Sequence, residues 1–258
     1  MNSAAAASVL SRMRTLAALA LLAIAPAAAS GMQPVGRFEI DRTEVTIGQF
    51  RRFAEATGTA TRAEREGGGH AYESGWVRKP GWTWRAPFGR PGGDREPAVH
   101  VTFDEAKAFC RWAGKRLPDD AEWVEAAYTE RRASPPAPFA TGRTYPYPTG
   151  EHPSGANCLG DCGATRPVEH GAPLARGQGH AEAGTTREGV NGLFDMGGNA
   201  WEWVDAGTPG ERRTRGGSWW YGSAQMRAGH VAGKAPDFAA VYIGFRCARD
   251  RAPTGAAR

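Results

Sequence analysis

The 258-residue chain lacks the features typical of a membrane protein or a nucleic-acid-binding protein. Its apolar run, Leu16 to Ala25, is shorter than the ~20 residues that an α-helix needs to span a bilayer. No Lys/Arg-rich run occurs, and 32 basic and 27 acidic residues leave a formal net charge of only +5. So small an excess does not predict a nucleic-acid partner. Internal repeats and low-complexity linkers are also absent, so the sequence predicts one domain.

The amino terminus has the pattern of a leader for export. Two arginines precede the apolar run, and Ala27 and Ala29 are the small residues that a signal peptidase accepts. We therefore expect a signal peptide over residues 1–29 and a mature domain over 30–258, with a core of about 36–250. The expected location is periplasmic or secreted, with no membrane span after cleavage. A retained membrane anchor is the alternative.

The composition predicts a loop-rich domain and argues against a helical bundle. The chain has 35 Gly and 18 Pro, which interrupt regular structure, and 9 Trp, which supply large side chains for core packing. A hydrophobic content of 41% is enough for one sizeable core. We therefore expect long irregular segments around a core rich in aromatic residues.

Local patterns predict three helices. Thr46 and Thr102 are each followed three residues later by Gln or Glu, the pattern of a capping box in which each side chain binds the other residue's backbone N–H. A Leu-Pro-Asp-Asp-Ala-Glu turn begins the third helix. The predicted helices cover about residues 46–57, 102–114 and 119–126.

Two short strands and one long loop complete the predicted elements. Alternating apolar residues predict strands at residues 38–41 and 99–101. Residues 60–96 are rich in Gly, Trp and Arg with little periodicity, which predicts a long ordered loop. Its tryptophans are expected to pack over the core, and part of the loop is a candidate wall of a binding cleft. These tryptophans are Trp76, Trp82 and Trp84.

The chain has four cysteines, an even number that an oxidising compartment favours in disulfides. Sequence alone allows three pairings. Cys158 and Cys162 are close enough to close a small loop, whereas Cys110 and Cys247 are 137 residues apart. A zinc site is the weaker alternative, because only one cysteine pair has a spacing typical of zinc ligands.

Five ordered sequence blocks resemble one known family. They are Ile-Asp-Arg-Thr-Glu-Val-Thr (40–46), Trp-Ala-Gly-Lys-Arg-Leu-Pro (112–118) with Glu-Trp (122–123), Gly-Leu-Phe-Asp-Met (192–196) with Gly-Asn-Ala-Trp-Glu-Trp (198–203), Arg-Gly-Gly-Ser-Trp (215–219) and Gly-Phe-Arg-Cys (244–247). They are similar to those of the formylglycine-generating enzyme, or sulfatase-modifying factor, family. The resemblance implies an α+β, loop-rich variant of the C-type lectin fold with few short helices and strands.

The resemblance selects one of the possible disulfide pairings. In the family, a cysteine just before the Trp-Ala-Gly-Lys-Arg block pairs with the cysteine of Gly-Phe-Arg-Cys. The matching residues here are Cys110 and Cys247. This leaves Cys158 to pair with Cys162.

The resemblance also implies a calcium site. The family positions that match Asp195, Gly198, Ala200 and Glu202 bind Ca²⁺ through two carboxylates and two backbone oxygens. Hard oxygen ligands of this kind suit Ca²⁺. We therefore expect a calcium ion with a structural role at these four residues.

Two residues depart from the family pattern at the positions that carry its chemistry. Active members have two cysteines shortly after the Gly-Gly-Ser block, bind copper there, and use O₂ to oxidise a substrate cysteine to formylglycine. This chain has Tyr221 and Met226 at those positions. Because a phenol and a thioether cannot replace a thiolate pair as Cu(I) ligands, we expect neither copper at these positions nor formylglycine generation.

Other residues of the implied cleft are candidates for a site. Ser218 and Trp201 match residues that flank the oxygen-binding pocket of active members. The aromatic residues either fill the volume left by the lost site or form a pocket for a planar or sugar-like ligand, with Arg227 pairing an acidic group. The candidate cleft residues are Trp201, Ser218, Trp219, Trp220, Tyr221, Met226, Arg227 and His230.

Two functions remain open at this point. One is a divergent oxidoreductase acting on a small or peptidic substrate, as a cysteine-less periplasmic relative does in siderophore maturation. The other is a non-enzymatic accessory module that binds a small molecule, peptide or glycan. An oxidase without a thiolate pair needs another redox centre, and the chain has neither a G-x-G-x-x-G motif nor facial-triad spacing. This weakens the first hypothesis.

Overall fold

Residues 31–163 and 165–251 are described by a computed structural model. The predicted signal peptide lies outside these residues. The strands are β1 (Met32–Val35), β2 (Phe38–Asp41), β3 (His70–Tyr72), β4 (Trp76–Arg78), β5 (Trp201–Thr208), β6 (Glu211–Arg215), β7 (Ala232–Lys234), β8 (Ile243–Gly244) and β9 (Ala248–Asp250). The α-helices are α1 (Ile47–Thr57), α2 (Arg62–Arg65), α3 (Phe103–Trp112) and α4 (Asp120–Tyr128), and two 3₁₀ turns lie at Val190–Gly192 and Ser223–Met226.

The strands form three small sheets, which confirms the expected α+β class. In the first sheet β2 lies between β1 and β9, and Phe38 pairs with Asp250, so the two ends of the described chain meet. The second is the antiparallel β3–β4 hairpin. The third has the order β7-β6-β5-β8, in which β5 and β8 are parallel and the other pairs are antiparallel. Within the described residues, no helix combines the length and apolarity needed to cross a membrane.

The three predicted helices are present, and the first two have their predicted caps. The Thr46 hydroxyl accepts from the Gln49 N–H at 3.3 Å, and the Gln49 side chain accepts from the Thr46 N–H at 2.8 Å. Thr102 caps α3 in the same way, and Asp119 caps α4 with a third capping box. Gly58 ends α1 in the left-handed region at φ 67°, a conformation that glycine adopts without steric cost.

Two predicted elements are wrong. The segment 60–96 is not a continuous loop, because it contains α2, β3 and β4. The segment 99–101 is not a strand, because His100 has φ 58° and the chain leaves the extended conformation there. The His100 ring is buried, and its Nε2 lies 2.9 Å from the Pro87 carbonyl oxygen. The left-handed backbone at His100 therefore occurs together with a contact to a residue 13 positions earlier in the chain.

The core is built largely from aromatic side chains and is joined by a long-range disulfide. The rings of Phe50 and Phe109 stack at 5.7 Å, and Phe245 meets Phe109 edge-on at 5.4 Å. Cys110 of α3 and Cys247, just before β9, form a disulfide inside this core, as expected. The Cys158–Cys162 disulfide is also present and closes a local loop.

Candidate functional site

Aromatic side chains form a partly exposed group at the β3–β4 hairpin. Tyr72 and Trp76 face each other across the hairpin with ring centroids 5.4 Å apart, and they are 40% and 46% exposed. Trp219, Trp220 and Tyr242 lie beneath them and are buried. We call these five residues the aromatic patch.

The rings of the aromatic patch are in contact from the surface to the interior. Trp76 lies 5.8 Å from Tyr242, and Tyr72 lies 6.2 Å from Trp220. Trp219 is 5.7 Å from Trp220 and 5.8 Å from Tyr242. Edge-to-face and tilted pairs at such separations contribute beyond simple area burial. The buried rings therefore hold the exposed pair in a defined position.

Backbone geometry fixes the buried part of the patch. Gly216 and Gly217 have φ of 94° and 80°, so the chain turns sharply after β6. The Trp219 N–H then donates to the Asn199 carbonyl at 3.0 Å. On the other side, a Cβ on Gly177 would lie 2.8 Å from the Trp219 ring, so only glycine allows this close approach. Trp219 is thus enclosed by backbone from two directions.

The interior of the patch is almost filled by its own side chains. The cavity bordered by Trp219, Trp220 and Tyr242 has a volume of only about 10 Å³, which is near the minimum for a single water. Among the described residues, none provides a hydrogen-bond partner for the buried Trp219 indole N–H or the buried Tyr242 hydroxyl. The accessible part of the patch is therefore the surface of Tyr72 and Trp76.

Cationic side chains lie next to this surface. The Arg176 guanidinium is 5.6 Å from the Trp220 ring, and the Lys79 ammonium is 5.3 Å from the Trp82 ring. Glu73 neutralises Lys79 through an ion pair at 2.7 Å. Arg176 is therefore a candidate partner for an anionic group beside the patch, and no sequence pattern singled it out.

Part of the predicted cleft lies around Trp201. Its ring is buried and meets Tyr221 at 5.7 Å and His230 at 5.6 Å. Burial raises the pKa of the Tyr221 phenol, while Arg176 lowers it by a smaller amount. Burial and the nearby charge of Lys234 lower the pKa of His230, which favours its neutral form. These groups supply aromatic faces and a neutral imidazole.

Three other predicted cleft residues, Ser218, Met226 and Arg227, contact neighbouring groups of the protein. Ser218 is buried, and its hydroxyl accepts from the Trp220 N–H at 3.3 Å. Met226 is fully buried against the Cys158–Cys162 disulfide. Arg227 donates to the Tyr147 hydroxyl at 2.7 Å and lies over the same ring. Arg227 is thus paired with a tyrosine of the protein.

The carboxylates of the expected calcium site are buried in an acidic region. Glu202 accepts from Arg246 at 2.7 and 2.8 Å and from the Trp123 indole at 2.7 Å. Asp195 accepts from the Gly184 N–H at 2.6 Å and from the Thr186 hydroxyl at 2.5 Å. Both carboxylates are therefore held by protein donors.

A third buried carboxylate, Glu44, was not singled out by the sequence. It accepts from the Asn199 side chain at 2.7 Å and from the Ala200 N–H at 3.0 Å. Burial, together with the charges of Asp195 and Glu202, raises its pKa well above the usual value. Glu44, Asp195 and Glu202 thus form a buried acidic region in which Arg246 neutralises Glu202.

The comparisons with known proteins agree on one family. The model of the sulfatase-modifying factor enzyme 1-like domain matches residues 19–251. A formylglycine-generating enzyme of Streptomyces coelicolor is 32% identical, over 83% of this chain and 78% of the relative. An inactive C-alpha-formylglycine-generating enzyme 2 of Bos taurus is 31% identical, over 82% and 76%.

A further relative and one solved structure show how far the similarity extends. A hercynine oxygenase of Mycolicibacterium thermoresistibile is 31% identical over 84% of this chain, which spans only 51% of that enzyme. The structure of PvdO from Pseudomonas aeruginosa is 23% identical, with a TM-score of 0.57 over 83% of this chain and 80% of that one. This structural similarity supports the fold.

Proposed function

We propose a function from one established premise: this chain belongs to the sulfatase-modifying factor enzyme 1-like domain family. The protein is a divergent member that binds a small aromatic acid, either free or as part of a peptide, on the aromatic patch. The exposed Tyr72–Trp76 pair carries this proposal, because two large aromatic side chains exposed side by side above buried aromatic rings form a contiguous apolar patch, the kind of surface that marks a binding site. Arg176 supplies the charge that pairs with the acidic group.

A binding assay with matched variants tests the patch. The probe is an aromatic carboxylate such as phenylacetate, with its neutral amide as a second probe, and tryptophan fluorescence or NMR reports binding. Trp76→Ala should abolish binding of both probes, whereas Arg176→Ala should weaken only binding of the carboxylate. Trp112→Ala is the control, because Trp112 is 44% exposed on α3. Equal binding by Trp76→Ala and Trp112→Ala would show that the ligand binds elsewhere.

The family's copper-dependent route is not proposed for this chain. Tyr221 and Met226 stand at the family's two cysteine positions, and a phenol and a thioether offer no thiolate. The purified protein, supplied with Cu(I) and O₂, should leave the cysteine of a sulfatase-derived peptide unmodified by mass spectrometry. A formylglycine product would contradict this expectation.

A redox reaction on the bound ligand is the second candidate function. The similarity to a hercynine oxygenase supports it, because that relative is named for an oxygenation. Oxygen consumption with a ligand found in the binding assay tests this function. Oxygen consumption that is lost in Trp76→Ala would favour an oxidoreductase. An oxygen-consumption rate no higher than that without protein would favour a binding module.

We also propose that the protein is exported. The Arg-containing leader supports cleavage after Ala29. Amino-terminal sequencing of the protein from a periplasmic fraction should begin at Ser30 or Gly31, and an uncleaved cytoplasmic product would argue against export.

The buried oxygen donors around Asp195 support one calcium ion. Elemental analysis should then find one calcium per chain, and chelation should lower the melting temperature. Asp195→Asn should remove this calcium dependence, whereas Asp205→Asn, a substitution in the part-exposed ion pair with Lys107, should keep it. A melting temperature unaffected by chelator would count against the site.

A further inference from the structure

The chain has four lysines, and Lys234 differs from the others in its charge environment. The ammonium groups of Lys79, Lys107 and Lys115 each form an ion pair with a carboxylate. Within the described part of the chain, Lys234 forms no such pair, and its Nζ donates to the Gly233 carbonyl at 3.2 Å. Lys234 is therefore a lysine that the fold does not neutralise by a direct contact.

Strand geometry keeps the Glu211 carboxylate away from Lys234. A Cβ on Gly233 would lie 2.2 Å from the Glu211 carboxyl carbon, so this carboxylate lies on the side of β7 to which Gly233 faces. Successive residues of a strand face opposite sides, so Lys234 faces the other side. Its cross-strand partner there is Arg212, a second cation. Like charges at paired positions disfavour the charged form of the lysine.

Aromatic rings surround the same lysine. Its Nζ lies 5.9 Å from the centroid of the Trp201 ring, near the outer limit of about 6 Å for a cation–π contact. The rings of Tyr221 and His230 meet the Trp201 ring at 5.7 and 5.6 Å. Trp201 is buried, whereas the other three side chains are half-buried. Lys234 thus lies at a group of aromatic rings that is partly exposed to solvent.

This environment favours the neutral amine. Burial lowers the pKa of Lys234, and the charge of Glu211 raises it by a smaller amount. A larger fraction of Lys234 is therefore free amine near neutral pH than of an ordinary lysine. The free amine is the form that attacks a carbonyl carbon.

We propose that Lys234 is the amine of a carbonyl-binding site, where it forms a reversible imine with a small aromatic aldehyde. A lysine activated by desolvation or by a neighbouring cation is the kind that forms Schiff bases. The rings of Tyr221 and His230 suit a planar aromatic ligand. None of these residues belongs to the aromatic patch, so the site is independent of ligand binding there.

Imine formation exchanges bonds without oxidation or reduction. The Lys234 nitrogen adds to the aldehyde carbon, and one amine proton passes to the former carbonyl oxygen. The carbinolamine then loses its hydroxyl together with the second amine proton as water. One C=O and two N–H bonds are thus replaced by one C=N and two O–H bonds, and no other reactant is consumed.

Reductive trapping of the purified protein tests the site. Benzaldehyde is the probe, cyanoborohydride reduces the imine to a stable secondary amine, and peptide mass spectrometry locates the label on each lysine and on the amino terminus. At about pH 7.5, well below the ordinary lysine pKa of about 10.4, Lys234 should carry more label than the other three lysines together. In protein unfolded with urea this preference should disappear. Equal labelling of the four lysines in the folded protein, or a preference that persists in urea, would overturn the proposal.

A conservative variant separates imine formation from binding by charge. Lys234→Arg keeps the positive charge but has no amine that forms an imine, so most of the lysine-linked label should be lost. Lys107→Arg is the matched control, because Lys107 is paired with Asp205, and this variant should keep the label. Equal loss in both variants would overturn the assignment to Lys234.

A second pair of variants tests the aromatic class of the ligand. Butanal, an aldehyde without a ring, is the comparison probe. Tyr221→Leu should reduce the preference of Lys234 for benzaldehyde over butanal, because one of the flanking rings is lost. Trp76→Ala should keep this preference, since Trp76 belongs to the aromatic patch. An unchanged preference in Tyr221→Leu, or its loss in Trp76→Ala, would overturn an aromatic ligand site around Trp201.

Discussion

At the scale of single residues, Arg246 and Glu202 form a buried ion pair. The guanidinium binds both carboxylate oxygens and also donates to the carbonyls of Asp41 and Phe194 at 3.0 and 2.8 Å. Both side chains are almost completely buried. A buried charge left without its partner is strongly destabilising.

The substitution Glu202→Gln should therefore lower the free energy of unfolding by about 3–5 kcal/mol. The control is Glu39→Gln, which breaks the part-exposed pair with Arg249 and should cost about 1 kcal/mol or less. Urea unfolding measures both variants. Similar losses in the two variants would mean that burial does not set the strength of these pairs.

His100 gives a residue-scale prediction for pH dependence. Burial lowers its pKa in the folded protein from 6.5 to about 3. Between these values the unfolded chain binds a proton that the native protein does not, so this residue makes stability fall as pH decreases from 6.5 to 3.

The substitution His100→Gln should flatten that dependence by up to about 1.4 kcal/mol per pH unit. His152→Gln, in an exposed loop, should leave the slope unchanged. Unfolding free energies measured from pH 7 to pH 4 check this difference. Parallel curves for the wild type and His100→Gln would contradict it.

At the scale of elements, helix ends were predictable because their signals are local. Thr102 and Glu105 are three residues apart and satisfy each other's backbone N–H. The same pattern at Thr61 and Glu64 caps α2, so α2 carried a signal that the 60–96 loop prediction overlooked. The β3–β4 hairpin has strands of only three residues, too short for a clear alternation.

The cap of α3 has a direct test. Thr102→Ala should lower stability by about 0.5–2 kcal/mol, because the Glu105 N–H loses its acceptor. Thr102→Ser keeps the hydroxyl and should lie close to the wild type. Thermal unfolding of both variants measures the effect, and a full-size loss in the serine variant would assign the stabilisation to the lost methyl group.

At the scale of the whole molecule, the two disulfides should differ in their effects on stability. The Cys110–Cys247 bridge closes 137 residues, whereas Cys158–Cys162 closes four. In the chain-entropy model, a bridge that closes a longer segment removes more conformational freedom from the unfolded chain.

Removing Cys110–Cys247 as a double alanine variant should cost about 2–5 kcal/mol. The double variant of Cys158 and Cys162 should lose less. Denaturation midpoints compare the two, with selective reduction of the wild type as a second route if the first variant does not fold. The opposite order would show that the local bridge holds more of the tertiary structure than its loop length predicts.

The sequence by itself determined the family, the class of fold, the helix starts and the cysteines available for pairing. These features depend on ordered blocks, residue counts and spacings of a few residues. The sequence also showed that Tyr221 and Met226 replace the family's copper ligands. The resemblance placed both residues in one cleft, because the family positions that they match lie there.

The tertiary structure decided which side chains meet. It places Tyr221 against Trp201 and Met226 against Cys162, which is 64 residues away. It also joins Tyr72 of the hairpin to Trp220 at 6.2 Å. Such contacts depend on how separate segments pack into the core, and this packing buries Trp220 while it leaves Tyr72 partly exposed. No local pattern encodes either property.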